Sequence, residues 1–229
     1  MSHLENSVIP SPSPSRFAQS LCMDLKQAET PTLGFRSKDH LSPTWREDAP
    51  RMIANLVEEF AAIYEHILDL RCGDGLLGAE LHRRGFHRIT GLHDDEPELR
   101  LAQARNHYQN LVHSKLKAPL PFLPLSFDIV TYTHLDQGRF YKSLLSHICR
   151  LIRPGGHLIL TLTEAVYQYA PFQNFIKELL LGGNWTWAFI SVPHPYRSGP
   201  ERARDALVAR YLVFEILDHS GMSKKGRTL

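Results

Sequence analysis

The stretch Ile67-Leu68-Asp69-Leu70-Arg71-Cys72-Gly73-Asp74-Gly75 limits what this chain can fold into more than any other. Ile67 to Leu70 reads as a short buried strand, and a glycine-rich turn follows at once. Behind the turn lies a helical run, Leu76-Leu77-Gly78-Ala79-Glu80-Leu81, closed by Gly85. Strand, glycine turn and helix together make a nucleotide-binding element. Glycines let the backbone approach a ligand, and the helix N-terminus offers N–H groups without intrahelical partners. Arg71 stands where such a turn usually begins with glycine.

Helix-like and strand-like stretches alternate around this element. Trp45, Met52, Ile53, Leu56, Val57 and Phe60 share one face of a helix that begins after Ser42-Pro43-Thr44, the spacing of a helix docked on a sheet. Strands are expected at 66–71, 88–93, 111–116, 127–132 and 157–162, with helices at 76–84, 96–106 and 139–151. That alternation predicts an α/β fold, a parallel sheet covered by helices on both faces with right-handed crossovers. After Thr163 the pattern changes to a helix at 171–181 and two strand-like runs, 185–192 and 206–217. Pro193, Pro195, Gly199 and Pro200 occupy the loop between those runs, so they are expected to close as an antiparallel pair.

The domain organisation expected is a disordered tail at 1–44, one domain at 45–218 and a flexible basic tail at 219–229. The first tail holds Ser11-Pro12-Ser13-Pro14-Ser15 without sustained periodicity. A net charge of +2 gives no reason to expect nucleic acid or an anionic membrane as partner. Cys22, Cys72 and Cys149 are odd in number and lack metal-ligand spacing, and no HExxH motif is present, so no metal site is expected. Without a bilayer-spanning apolar run or a signal-peptide core, the expected location is the cytoplasm or the nucleus.

Two further motifs follow the glycine turn. Leu120-Pro121-Phe122 leads to Ser126-Phe127-Asp128-Ile129-Val130, and Leu151-Ile152-Arg153-Pro154-Gly155-Gly156-His157-Leu158 forms a helix-to-strand turn. In this order and spacing, over about residues 45–217, the three resemble the S-adenosylmethionine-dependent methyltransferases of the Rossmann-like class. Within it, Ala79-Glu80-Leu81-His82-Arg83-Arg84-Gly85-Phe86 and Pro119-Leu120-Pro121 resemble the methyltransferase-like protein 27 type, a similarity that fades beyond about Thr163. The resemblance implies a Rossmann-like methyltransferase fold, a mostly parallel seven-stranded sheet with a final antiparallel strand and helices on both faces. It implies S-adenosylmethionine as cofactor and methyl transfer to an unidentified small-molecule or protein acceptor.

The same resemblance assigns site positions. Asp69, Gly73 and Gly75 belong to the cofactor turn, and Asp69 accepts hydrogen bonds from either the turn or the cofactor amine. The family's first glycine corresponds to Arg71, which is either a simple loss or a partner for the cofactor's carboxylate. The carboxylate that ends the second strand and takes the ribose hydroxyls corresponds to His93, with Asp94 directly after it. The adenine-facing Asp after the third strand falls at Lys115, a donor in place of an acceptor. His134, beyond the fourth strand, is the candidate general base, since imidazole ordinarily titrates near ~6.5. Tyr167, Tyr169, His194 and Tyr196 are candidates for the acceptor pocket, and Cys72 reads as a small buried filler. The intact Asp69, Gly73 and Gly75 favour an enzyme. Arg71, His93 and Lys115 favour a catalytically inactive methyltransferase-fold protein serving as an interaction or scaffold module.

Overall fold

The computed structural model describes residues 45–135, 140–195 and 208–218; the two expected tails lie outside these residues. An opening helix α1 (Trp45–Phe60) precedes β1 (Ile67–Leu70), α2 (Leu76–Arg83), β2 (Ile89–His93), α3 (Glu96–Arg105) and β3 (Asn110–His113). Then come β4 (Phe127–Leu135), α4 (Lys142–Leu151), β5 (Ile152–Thr163), α5 (Glu164–Tyr167) and α6 (Ala170–Leu181). β6 (Trp185–Ile190), β7 (His194–Pro195) and β8 (Val208–Ile216) complete the order.

The strands lie side by side in the order β3-β2-β1-β4-β5-β8-β6, and β7 pairs with the start of β8. β1 to β5 run parallel to one another, whereas β8 runs antiparallel to both β5 and β6. The expected mostly parallel sheet with a late antiparallel strand is present. The two-residue β7 and the short α5, capped by the Thr163 hydroxyl accepting from the Val166 N–H (3.3 Å), are additions to it.

Alternation of side chains divides the core between the two faces. Ile67, Ile89, Ile129 and Ile159 meet Ile53, Leu56 and Val57 of α1 and Leu77 and Leu81 of α2. Leu68, Leu92, Val130, Leu158 and Leu160 meet Leu144, Leu145 and Ile148 of α4 and Phe172 and Ile176 of α6. Of the apolar face read for α1, Ile53, Leu56 and Val57 enter this core and Met52 and Phe60 pack against it; the Trp45 side chain is outside the described residues.

β5 starts at Ile152, earlier than expected, and the reason is where the two later motifs meet. Arg153 reaches both Asp128 carboxylate oxygens (3.0 and 3.2 Å), and Asp128 Oδ2 also accepts from the His66 N–H (2.9 Å). A Cβ on Gly156 would lie 2.4 Å from the Asp128 carbonyl oxygen, so only glycine allows β5 to approach β4 this closely. β4 also outruns its expected end, and His134 lies inside that strand rather than in a loop beyond it.

Candidate functional site at the glycine turn

Beyond the end of β1 the chain turns through three left-handed residues. Arg71 has φ 65, Gly73 φ 54 and Gly75 φ 88. Arg71 thus adopts the conformation that glycine would take, so the turn keeps its path although it gains a side chain. The Arg71 and Cys72 N–H groups both donate to the Leu92 carbonyl (2.8 and 3.1 Å), tying the turn to the end of β2. Gly75, the N-cap of α2, has no side chain of its own to cap the helix.

Three contacts from β2 and α3 brace the turn. His93 Nδ1 accepts from the Gly73 N–H (3.3 Å), so a neutral ring carries its proton on Nε2, which faces Glu98 Oε2 at 3.1 Å. Arg105 donates to the Asp74 carbonyl (2.7 Å) and to its carboxylate (3.3 Å). Gly75 lies against α3 so closely that a Cβ there would come within 3.0 Å of the Ala102 backbone.

Beneath the turn lies a buried polar group. Asp69, 1% exposed, accepts from the Tyr108 hydroxyl (2.7 Å) and the Thr131 hydroxyl (3.1 Å). Burial raises its pKa to about 7, against the opposing pull of those two hydrogen bonds. The Tyr108 oxygen in turn accepts from the Gly78 N–H (3.1 Å), acting as a cap for the first turn of α2. Burial, and then the adjacent Asp69 charge, push the Tyr108 phenol well above its ordinary value. Burial likewise drives the Cys72 thiol upward and the Cys149 thiol to about 12, which makes both poor nucleophiles at neutral pH.

Arg71, Gly73, Gly75 and His93 come together at this rim, with Asp69 below them. Asp94 is exposed just past β2, and its carbonyl lies 3.3 Å from His113 Nε2. Lys115 is exposed beyond β3, one residue after Ser114, whose N–H binds the His93 carbonyl (3.0 Å). Farther along, the Arg210 guanidinium stacks over the Tyr167 ring (4.3 Å) and pairs with Glu164 through two contacts, 2.5 and 3.2 Å. Tyr169 meets Phe140 edge-on, and His194 sits in β7; Tyr196 lies outside the described residues. Glu98, Arg105 and Tyr108 were not anticipated. Glu98 follows Asp95 by three positions, which reads as a helix-start pattern and hides any other role. Tyr108 did leave a signal, since Gly78 inside a helix and Gly91 inside a strand mark places where something bulky approaches.

Residues 68–160 match the family described as a methyltransferase domain. The matched segment, less than half of the chain, is similar to methyltransferase domains and lies on a Rossmann-like sheet. Methyltransferase-like protein 27 of Homo sapiens is 30% identical to the chain over 135 residues, 54% of this chain and 55% of the relative, so the match spans about half of that protein. A solved S-adenosylmethionine-dependent methyltransferase from Methanosarcina mazei superposes with TM-score 0.55 at 14% identity, covering 71% of this chain and 98% of that one. Magnesium protoporphyrin IX methyltransferase from Synechocystis, solved with bound S-adenosylmethionine, gives TM-score 0.56 at 15% identity over 76% and 81%. At such identities the two structures establish the fold and nothing finer. Among the described residues no helix is long and apolar enough to cross a membrane.

Proposed function

We propose that this protein transfers a methyl group from S-adenosylmethionine to a small-molecule or protein acceptor. One observation carries the proposal: Arg71 holds the left-handed φ of the glycine it replaces, so the cofactor turn keeps its shape. The residues present fit the group. Gly73 and Gly75 present bare backbone, and the turn is tied to the end of β2 where β1 ends. β1 has β2 on one side and β4 on the other, which is the point where strand order reverses and ligands of open α/β sheets bind.

The sulfonium of the cofactor supplies an activated methyl group, and the protein's share is positioning and exclusion of water. Gly73 and Gly75 shape the cradle, while Arg71 stands at its methionine end. His134, near the end of β4, is the residue proposed to take a proton from acceptors that must lose one. Tyr167 and Tyr169, beyond β5, are the candidates for contacting the acceptor.

The inactive scaffold remains a second reading because both nitrogens of His93 are engaged, one by Gly73 and one by Glu98. Calorimetric titration with S-adenosylmethionine and S-adenosylhomocysteine separates the two. Saturable binding of both supports the transferase, and the absence of binding to either supports the scaffold.

A further inference from the structure

We infer that Glu98, set in place by His93, is the carboxylate that receives the ribose hydroxyls of the bound adenosyl group. This assignment depends on the S-adenosylmethionine reading above and gives it a specific residue. In nucleotide-binding strand–helix–strand units, an acidic side chain at the end of the second strand accepts the sugar hydroxyls. Here β2 ends in His93, whose Nδ1 already accepts from Gly73 and whose Nε2 faces Glu98. A neutral imidazole in that position has no lone pair left for a sugar.

The ring instead directs a carboxylate at the turn. Glu98 Oε2 lies 3.1 Å from His93 Nε2, and so close to Gly73 that a Cβ built there would stand 3.2 Å from it. The two partners differ in access, with side-chain exposures of 6% for His93 and 44% for Glu98. His93 is therefore a buried strut, and Glu98 is the accessible acceptor. One oxygen of Glu98 engages the ring, while the carboxylate as a whole offers about four lone-pair sites.

The neighbouring acids have other positions. Asp95 caps α3 by accepting from the Glu98 N–H (3.3 Å), and Asp94 is exposed one residue past the strand. Glu98 occupies the place of a capping-box acid, which ordinarily reaches back to the N-cap N–H. Its contact with His93 turns it toward the glycine turn instead. An acceptor already held in position loses little conformational freedom when it takes up a ligand.

The test is calorimetric affinity for S-adenosylhomocysteine and for its 2′,3′-dideoxy analogue, with the melting temperature of each variant as control. The wild-type protein should prefer the ribose form by roughly tenfold to a hundredfold, the range of hydrogen bonds to a charged acceptor. Glu98→Gln should lose most of that preference and leave the affinity for the analogue near the wild-type value. Glu98→Asp retains the charge but withdraws it by one methylene, so it should lower the preference even if the Gln variant folds poorly. His93→Ala should lower it too, and His93→Gln, whose amide can donate to Glu98, should restore part of it. Preference retained in both Glu98 variants overturns the assignment. So does preference lost in Asp94→Asn and kept in Glu98→Gln, which gives the ribose to Asp94. Equal wild-type affinity for the two ligands overturns the assignment alone, and wild-type binding to neither overturns the S-adenosylmethionine reading with it.

Discussion

At Asp69 the fold holds a carboxyl 1% exposed to solvent with two hydroxyl donors, and burial outweighs those donors. Its folded pKa of about 7 lies above the ordinary 3.8, so the fold favours the protonated form. Its contribution to stability is therefore full below the unfolded value and fades as pH rises through about 7. Asp69→Asn removes this titration. The stability of the variant relative to wild type, read by urea melts, should rise between pH 5 and 7.5 by ~1 kcal/mol or more, one pKa unit being ~1.4 kcal/mol. A flat difference would show that Asp69 is ionised throughout. Tyr108→Phe deletes the hydroxyl that serves both Asp69 and the Gly78 N–H, which should cost about 1–3 kcal/mol, the range for buried polar groups left unsatisfied. Arg71→Gly should leave the melting temperature within about 4 °C, because relief of the left-handed φ offsets glycine's greater freedom when unfolded. If the side chain merely narrows the cradle, S-adenosylhomocysteine should bind more tightly to the Gly variant. Weaker binding would assign the guanidinium to the ligand carboxylate.

Among the elements, α2 and β2 are shaped by a ring that belongs to neither. A Cβ on Gly78 would meet the Tyr108 ring at 2.4 Å, and one on Gly91 would meet it at 2.9 Å. The ring rests on both elements, and its hydroxyl finishes the first turn of α2. Glycine inside an exposed helix ordinarily loses ~1 kcal/mol relative to alanine. At this position the sign should reverse, with Gly78→Ala destabilising by roughly 1–3 kcal/mol through overpacking. The same change made on a Tyr108→Ala background should cost much less. A double-mutant cycle reads that coupling, and additive effects would contradict the packing described. α3 acts as a bracket for the turn, with Ala102 against Gly75, Arg105 on Asp74 and Glu98 on His93.

For the molecule as a whole, the sequence of 1–44 carries no periodic apolar face, so removal of residues 1–38 should leave the melting temperature nearly unchanged. A fall of several degrees in a thermal melt would show that the segment packs on the domain, since ~1 kcal/mol moves a chain of this size by roughly 2–4 °C. The alternation of apolar runs was enough to read the parallel sheet, the docking face of α1 and the glycine turn, because period and glycine placement are local properties of the chain. β7 and α5 escaped notice because they are too short to show a period. The early start of β5 was hidden because Pro154-Gly155-Gly156 looks like a turn until Arg153 is seen clamped on Asp128. The site divides in the same way. The family resemblance singled out Asp69, Arg71, Gly73, Gly75 and His93, and the fold brings these five together at the turn. Tyr108, 39 residues away, supplies one partner of Asp69, and Glu98, on the following helix, supplies one partner of His93. The sequence by itself determined the alternating architecture and the position of the turn. Only tertiary structure decided which groups the buried carboxyl and imidazole face, because those partners are brought together by packing and not by spacing along the chain.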